Sequence, residues 1–269
     1  MASHNGTALI TGASSGIGAI YADRLAKRGY DLVLVARSAD RLRRLAAEIS
    51  DRTGRAVEVL QADLGSPIDL KRVETLLRTD QSVTMLVNNA GVGAIAPLLD
   101  SDVDSMEALI ALNVTAPMRL AYAAAPGFVA RGSGTLINIA SAVAVGPERL
   151  NGVYGGSKAF VLAFSQSLHH ELADKGIRIQ AVLPGATATR FWNSAGSAVE
   201  SLPSEIVMSA QAAVDSALAG LDLGELVTIP SLPDVRDWDR FEQARLALQP
   251  NLSRAVPAAR ESPAHERAA

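Results

Sequence analysis

Tyr154 and Lys158 are the residue pair whose types and spacing most directly suggest chemistry. They stand four positions apart within Val153–Ala173, which we predict to form one long helix, and residues at that spacing share a helix face. A free phenol has a pKa of about 10, and a neighbouring ammonium group stabilises the phenolate and lowers that value. The pair therefore suits proton transfer near neutral pH, although an amphipathic helix can carry such a pair without any catalytic role.

A glycine-rich segment, Thr11-Gly12-Ala13-Ser14-Ser15-Gly16-Ile17-Gly18, lies between a predicted strand and a predicted helix. Glycines let the backbone approach a pyrophosphate, and a helix N-terminus presents free N–H groups and partial positive charge to an anion. The spacing is Gly-x3-Gly-x-Gly rather than the commoner G-x-G-x-x-G, and glycines also serve tight turns. The position between strand and helix favours a dinucleotide site, with contacts expected from Gly12, Ser14, Ser15, Gly16, Ile17 and Gly18.

The end of the second predicted strand, Val35-Ala36-Arg37, bears on the choice of nicotinamide cofactor. A carboxylate there would bind the ribose 2′-hydroxyl of NAD, whereas an arginine can accept the 2′-phosphate of NADP. Arg37 follows the strand directly, and its planar guanidinium suits a phosphate, although it could also simply solvate the strand end. We therefore expect a preference for NADP(H), with NAD(H) also possible.

The elements that must position these residues alternate along the chain as short apolar runs and longer helical patterns. Predicted strands are Thr7–Ile10, Asp31–Val35, Val57–Leu60, Met85–Val87, Thr135–Ile139, Ile177–Val182 and Leu226–Ile229. Predicted helices include Ser15–Arg28, Arg41–Asp51, Ile68–Leu77, Val103–Asn113, Ala116–Ala130 and Val153–Ala173. Because the strands are continuously apolar, they indicate an α/β fold with a seven-stranded parallel sheet covered by helices on both faces. We predict a single doubly wound domain over residues 1–249.

The segment Thr-Gly-x3-Gly-Ile-Gly resembles the cofactor motif of the short-chain dehydrogenase/reductase family, in its one-domain branch with a Rossmann-like fold. Other motifs follow in the same order as in that family. Asn88-Asn89-Ala90-Gly91 matches its second motif, and Pro184-Gly185 with Thr189 matches the motif after the sixth strand. Asn113, Ser141, Tyr154 and Lys158 match its catalytic tetrad. The resemblance runs from about Thr7 to Ile229.

This resemblance implies a role for each matching residue. Tyr154 would donate a proton to a carbonyl oxygen during reduction, and Ser141 would hydrogen-bond the same oxygen. Lys158 would lower the pKa of Tyr154 and hold the nicotinamide ribose, and Asn113 would hold a water that relays protons to Lys158. Asp63 would bind the adenine amino group, unless it is an ordinary solvated loop acid. Further cofactor contacts are expected from Leu64, Asn88, Asn89, Ala90, Gly91, Pro184, Gly185, Thr187 and Thr189.

The function these expectations favour is an NADP(H)-dependent oxidoreductase that interconverts a ketone or aldehyde and its alcohol. The alternative is a non-catalytic NADP(H)-binding regulator on the same fold, which would have no need of Tyr154 with Ser141. The substrate is expected to be a small molecule of moderately apolar character. A net charge of −3 gives no reason to expect nucleic acid or an anionic membrane as a partner.

Composition excludes further classes. The chain has no cysteine, so disulfides and thiolate nucleophiles are excluded. No metal is expected, because the histidines lack metal-ligand spacing: His4, His169, His170 and His265. Residues 1–7 are polar and no apolar run approaches about 18 residues, so we expect neither a secretory signal nor a membrane span. We therefore expect a cytoplasmic location.

Four segments carry further expectations. Residues of about 187–208 mix Gly, Ser, Pro and apolar residues, and we expect them to form a substrate lid that offers Phe191, Trp192, Val199 and Leu202, although an ordinary connector remains an alternative. The run 159–164 is apolar on all sides, which predicts a homodimer or homotetramer formed through that helix. Residues 250–269 are expected to be a mobile tail. Gly155 and Gly156 are expected either to open room for substrate or allow close backbone approach, or simply to be tolerated at a helix start.

Overall fold

The computed structural model describes residues 5–196, 198–258 and 260, and its largest element is a parallel β-sheet. The chain divides into two compact units, Met1–Pro230 and Ser231–Ala269. The first unit contains the whole sheet and every predicted site residue. Its end at Pro230 lies earlier than the predicted domain end at residue 249.

Seven strands form the main sheet in the order β3-β2-β1-β4-β5-β6-β9, and every paired neighbour is parallel. The strands are β1 (Thr7–Thr11), β2 (Asp31–Ala36), β3 (Val57–Gln61), β4 (Val83–Asn88), β5 (Gly134–Ile139), β6 (Ile177–Val182) and β9 (Val227–Thr228). Two short strands, β7 (Thr187–Ala188) and β8 (Met208–Ser209), pair separately. The predicted seven-stranded, doubly wound fold is therefore confirmed.

Helices cover both faces of this sheet. They are α1 (Gly16–Lys27), α2 (Ala39–Thr53), α3 (Pro67–Thr79), α4 (Val103–Ile110), α5 (Ala116–Arg131), α6 (Gly152–Leu172), α7 (Phe191–Ala195) and α8 (Ala210–Asp222). Successive strand residues point to opposite faces, so Ile10 joins the apolar core under α1, α2 and α8. Leu9 joins the core under α3, α5 and α6. The buried apolar area on both faces explains why the strands lack polar alternation.

The helices α4 and α5 are joined without a break. Two separate helices were expected here, but a π-helical turn, Ala111–Thr115, carries the chain from one to the other. By length and apolarity alone the run Val103–Arg131 could cross a membrane, and in the described part of the chain it is the one helix of that kind. Its α5 half packs Leu120 and Phe128 into the core of the first unit, as expected for a core helix.

The segment 187–208, which was expected to form a lid, has regular structure in its described residues. It contains β7, α7, two 3₁₀ turns (Val199–Ser201 and Ser204–Ile206) and β8. The pairing of Thr187 with Met208 and of Ala188 with Ser209 joins the two ends of the segment. The predicted boundaries therefore coincide with a hydrogen-bonded loop closure.

The second unit contains α9 (Val235–Ala247), which the sequence analysis did not predict, followed by a short turn at Gln249–Asn251. Its Trp238 and Phe241 rings lie 5.2 Å apart. Of the predicted tail, residues 259 and 261–269 lie outside the described part of the chain, as do His4 and His265.

Candidate active site

A cleft of about 560 Å³ lies where six parallel strands end. Its walls come from the segments that follow β1 to β6, at the same edge of the sheet. The sheet order changes direction between β1 and β4, which makes this edge the topological switch point where open α/β sheets bind ligands. Of the predicted cofactor residues, the structure brings most to this one cleft: Gly12, Ser14, Ser15, Gly16, Ile17, Arg37, Asp63, Leu64, Asn89, Ala90, Gly91, Tyr154, Lys158, Pro184, Gly185, Thr187 and Thr189.

The glycine-rich turn runs from β1 into α1 in a conformation that needs glycine. Gly12 and Gly16 have φ of 66° and 56°, in the left-handed region that other residues rarely adopt. The N-cap residue of α1, Ser15, makes no side-chain cap hydrogen bond, so the first-turn N–H groups are left for another acceptor. This turn offers the backbone donors and the positive helix end that a phosphate requires.

Asn89 and Thr11 fix that turn against the end of β4. The Thr11 hydroxyl accepts hydrogen bonds from the N–H of Asn89 at 2.9 Å and from the N–H of Ala90 at 3.0 Å. The Asn89 amide donates to the Thr11 carbonyl at 2.8 Å. Gly18 differs from its prediction: it packs behind the turn rather than lining the cleft, and a Cβ there would lie 2.6 Å from the Gly12 carbonyl oxygen. Its lack of a side chain therefore permits close helix packing.

Asn88 also differs from the expectation that it lines the cleft. Its amide donates to Asn138 at 3.0 Å, and Asn138 in turn donates to the Ser165 hydroxyl at 2.9 Å. All three side chains are buried between the sheet and α6. Because Asn88 is the last residue of β4, strand alternation turns its side chain into the core while Asn89 faces the turn.

The cationic end of the cleft contains two arginines. Arg37 lies where it was predicted, and Arg41, on the first turn of α2, lines the same wall. Arg41 was not predicted to bind the cofactor, although its place at the start of the helix after β2, close to Arg37 in the sequence, could have revealed it. Asp63 also lines this end, and its carboxylate accepts a hydrogen bond from the Gly65 N–H at 3.0 Å. Among the described residues that line the cleft, Asp63 is the one carboxylate.

Tyr154, Ser141 and Lys158 come together at the opposite end. Tyr154 and Ser141 line the cleft together, and the Ser141 hydroxyl is near enough to the Tyr154 phenol to act on its pKa. Ser141 follows β5 as an N-cap that accepts from the Val143 N–H at 3.4 Å. The Lys158 ammonium group donates to the Ile139 carbonyl at 2.9 Å and lies 6.0 Å from the centre of the Tyr154 ring. The i,i+4 spacing thus places both side chains on the cleft face of α6, as predicted.

Burial changes the electrostatics of this pair. Desolvation raises the pKa of Tyr154 to about 12, while the hydrogen bond with Ser141 acts in the opposite direction. Burial also lowers the pKa of Lys158 to about 8. The expected lowering of the Tyr154 pKa is therefore not found, because removal of the phenolate from water is the largest effect and only Ser141 opposes it. The Tyr154 side chain is accordingly a protonated donor at neutral pH.

Asn113 lies in the π-helical turn between α4 and α5 and is 2% exposed. Its side-chain oxygen accepts from the Val92 N–H at 2.9 Å, and its amide donates to the Val92 carbonyl at 2.8 Å and to Ser157 at 3.2 Å. Asn113 does not line the cleft, yet it holds the Val92 backbone that does. A Cβ on Gly91 would lie 3.0 Å from the Asn113 oxygen and 3.5 Å from the Lys158 nitrogen, so Gly91 brings these groups together.

Asn151 is a site residue that the sequence analysis missed. Its side-chain oxygen accepts from the N–H groups of Val153 and Tyr154, which caps the N-terminus of α6. Its amide donates to the Ala96 carbonyl at 2.6 Å and to Ser101 at 2.9 Å. Asn151 therefore fixes the helix that carries Tyr154 to the loop after β4. The preference of asparagine for N-caps could have revealed the first of these contacts.

The two glycines after Tyr154 have different surroundings. A Cβ on Gly155 would lie 3.0 to 3.1 Å from the Cβ, Cα and carbonyl oxygen of Pro147, whereas a Cβ on Gly156 would meet nothing within 4 Å. Gly155 thus permits close approach of the loop before α6, and Gly156 is simply tolerated near the helix start.

Apolar side chains surround the Tyr154 end of the cleft. The lid contributes Phe191, Trp192 and Leu202 as predicted, and also Ile206, whereas Val199 does not line the cleft. Leu150 and Val143 complete this wall. Arg149 and Arg190 lie at its edge, both exposed.

Comparison with known proteins identifies the family. Residues 6–200 match the family of short chain dehydrogenases. The chain belongs to this family. Among curated relatives of this short-chain dehydrogenase, the very-long-chain 3-oxoacyl-CoA reductase of Anas platyrhynchos is 36% identical over 192 residues, which is 68% of this chain and 60% of that protein. The 17-beta-hydroxysteroid dehydrogenase type 3 of Homo sapiens is 37% identical over 186 residues, 68% of this chain and 59% of that protein. The matched segment is thus less than two thirds of these relatives' length.

Two solved structures match this short-chain dehydrogenase over nearly its whole length. A short-chain dehydrogenase from Sphingobium yanoikuyae, solved in complex with NADPH, is 49% identical with a TM-score of 0.93, covering 96% of this chain and 100% of that one. The bulky-bulky ketone specific alcohol dehydrogenase from Comamonas testosteroni is 45% identical with a TM-score of 0.89, covering 97% and 100%.

Proposed function

We propose that this short-chain dehydrogenase is an NADP(H)-dependent oxidoreductase that interconverts an apolar ketone or aldehyde and the corresponding alcohol. One observation carries the proposal. The hydroxyl groups of Tyr154 and Ser141 lie together at one end of a cleft whose other end has two arginines and an open helix N-terminus. Such a cleft suits a long anionic cofactor with its reactive end beside an acid.

The cleft residues fit NADP(H). The uncapped first turn of α1 and the glycine backbone would hold the pyrophosphate. Arg37 and Arg41 would hold the 2′-phosphate, and no carboxylate stands at the end of β2 to favour NAD over NADP. The Sphingobium yanoikuyae structure, similar over this whole region, holds NADPH. When bound, the nicotinamide supplies or accepts the hydride.

The chain's own residues would handle the proton and the oxygen. Tyr154, protonated at neutral pH, donates its proton to the carbonyl oxygen during reduction and removes it from the alcohol during oxidation. Ser141 hydrogen-bonds the same oxygen and stabilises the negative charge that develops on it. Lys158 lines the cleft beside Tyr154, on the side where the cofactor would bind. The apolar wall would exclude water from the reacting atoms.

The test is NADPH consumption by the purified protein with a panel of ketones and aldehydes. Tyr154→Phe removes the proton donor without changing the ring, so turnover should fall by about 10²–10⁴-fold. Tyr30→Phe, outside the cleft, is the matched control and should keep the wild-type rate. An equally active Tyr154→Phe variant would refute the assignment of the acid.

Cofactor choice is tested at the other end of the cleft. Arg37→Ala and Arg41→Ala should each raise the KM for NADPH by about 10-fold or more and leave the KM for NADH little changed, since each loses a charge-assisted phosphate contact of about 1.5–3 kcal/mol. Arg44→Ala, exposed on the same helix but outside the cleft, is the control. Equal effects on both cofactors would contradict the 2′-phosphate assignment.

The regulator alternative predicts a different result. Tight NADPH binding, with no turnover of any carbonyl or of any alcohol with NADP⁺, would favour a non-catalytic role. The placement of the Tyr154 and Ser141 hydroxyl groups together in an apolar pocket argues for the enzyme, since a non-catalytic sensor has no need of this pair.

We further propose that the protein assembles as a homodimer or homotetramer through α5 and α6. Tyr122 is 66% exposed, and its ring stacks 6.4 Å from Phe164, which stacks 5.6 Å from Phe160. A partly exposed aromatic row of this kind is typical of a protein interface. Phe164→Arg should shift the protein toward monomer in analytical ultracentrifugation. A monomeric wild type at micromolar concentration would contradict the proposal.

A further inference from the structure

Phe191 lies next to the proposed acid in a row of three aromatic rings. Its ring centre is 5.9 Å from that of Tyr154, at an angle of 47°. On its other side the Trp192 ring meets it edge-on, with centres 5.8 Å apart. Trp192 is 8% exposed and donates from its indole nitrogen to the Thr187 carbonyl at 3.0 Å, which fixes this ring in the lid. The Phe191 ring is thus bounded on two sides by rings that are themselves held.

Gly93 bounds the Phe191 ring on a third side. A Cβ at position 93 would overlap the Cζ atom of Phe191, would lie 2.8 Å from its Cε1 atom and would lie 3.1 Å from the Cβ of Ala195. The backbone of Gly93 is outside the positive-φ region, so an alanine there would be unstrained in conformation. What Gly93 provides is therefore space. We call this space, between Gly93 and the Phe191 ring, the Gly93 notch.

We infer that Gly93 is a specificity-determining residue of the ketone site. The Gly93 notch gives the Phe191 ring room to lie outside the substrate space beside Tyr154. The substrate class this arrangement accommodates is a ketone with a bulky, flat apolar substituent, which would lie against the exposed side of the Phe191 ring. This inference rests on the proposed function, and it adds the residue that sets the width of the site.

The direction in which the ring would move follows from its neighbours. The atoms that a Cβ on residue 93 would meet first are at the tip of a side chain, which yields more readily than backbone. The Tyr154 ring and the Trp192 ring lie on two sides of Phe191, and position 93 lies on a third. The remaining side is the cleft that Phe191 lines. An alanine at position 93 therefore displaces the ring into the space that a large substituent needs.

The test compares two ketones, 2-butanone and valerophenone, in the wild type and in Gly93→Ala, each with saturating NADPH. The ratio of kcat/KM for valerophenone to kcat/KM for 2-butanone should fall by about tenfold or more. This is the size of effect expected when a substrate pocket loses space equal to at least one methyl group. The kcat/KM for 2-butanone and the NADPH dissociation constant, from fluorescence titration, should stay within about twofold. Gly127→Ala, in α5 and away from the cleft, is the glycine-to-alanine control; a Cβ there would make only an ordinary 3.5 Å contact with Arg131.

A double variant separates displacement of the ring from a general loss of structure. Gly93→Ala/Phe191→Ala removes the ring that is displaced, so the ratio for the bulky ketone should return to the wild-type value or exceed it. The inference is overturned if Gly93→Ala leaves the ratio unchanged, or if the double variant does not restore a lowered ratio. In either case an active wild type leaves the proposed function standing. A wild type that reduces other carbonyls but neither of these ketones overturns this inference alone, whereas a wild type that turns over no carbonyl and no alcohol refutes the proposed function and this inference with it.

Discussion

Lys158 combines burial with a charge, and this makes its replacement a quantitative test of the site. The residue is 6% exposed, and burial lowers its pKa from 10.5 to about 8. Each pKa unit corresponds to about 1.4 kcal/mol, so at pH 7 the charged lysine costs the folded state about 3 kcal/mol. Lys158→Met also removes the hydrogen bond to the Ile139 carbonyl, which costs the variant about 1 kcal/mol of that gain. We expect that variant to be more stable than the wild type by about 2 kcal/mol near pH 7.

The pH dependence gives the sharper measurement. Between about pH 8 and pH 10.5 the unfolded chain binds more protons at this lysine than the folded one, so the stability of the wild type rises with pH in that window. The advantage of Lys158→Met should therefore shrink by about 2 kcal/mol between about pH 7 and about pH 9.5. Other titrating groups are present in both proteins and cancel in the difference.

The assay is urea denaturation of both proteins at the two pH values, with ketone reduction measured in parallel. Lys175→Met, which replaces an exposed lysine, should show no such pH-dependent difference. Lys158→Met should gain stability while losing most activity, as expected for a group kept for function rather than for stability. A variant less stable than the wild type by the same amount at both pH values would refute the reasoning, because the ammonium group would then not be desolvated at a cost.

Three further predictions concern neighbouring residues. Gly155→Ala should lower kcat/KM and the Tm because its Cβ meets the Pro147 backbone. Gly156→Ala should leave activity unchanged and stabilise the helix by up to about 1 kcal/mol. Equal effects of the two substitutions would contradict the contact with Pro147. Asn151→Ala should cost about 1–3 kcal/mol of stability and lower kcat more than the KM for NADPH, with Asn151→Asp, which keeps the cap acceptor, intermediate. Because burial raises the pKa of Tyr154 to about 12, alcohol oxidation should accelerate steadily as pH rises through 7 to 10 while ketone reduction does not; parallel profiles would contradict this.

Much of the fold could be predicted because its determinants are local in the sequence. Continuous apolar runs predict strands buried on both faces, and the glycines of the first turn are needed for its conformation and for phosphate approach. The i,i+4 spacing placed Tyr154 and Lys158 on one helix face, and Arg37 lies where the end of β2 puts it. These features depend on neighbours within about one helical turn.

The features that escaped prediction depend on residues distant in the sequence. The role of Gly93 depends on Phe191, almost one hundred positions later. The raised pKa of Tyr154 reflects burial by several elements together, which spacing along one helix does not reveal. Asn88 turned inward because it is the last residue of its strand, and a shift of one position in the strand end decides which of two adjacent asparagines meets the turn.

The short pairing of β7 with β8 gives the lid a property of its own. The Met208 N–H donates to the Ala186 carbonyl at 2.9 Å, so the segment leaves the main sheet and returns to almost the same point. Insertions or exchanges between these strands need not disturb the seven-stranded sheet, and the entropy of closing such a loop grows only slowly with its length. The segment 187–208 is in this sense a separable module, whose sequence can change while the sheet and the other walls of the cleft stay constant.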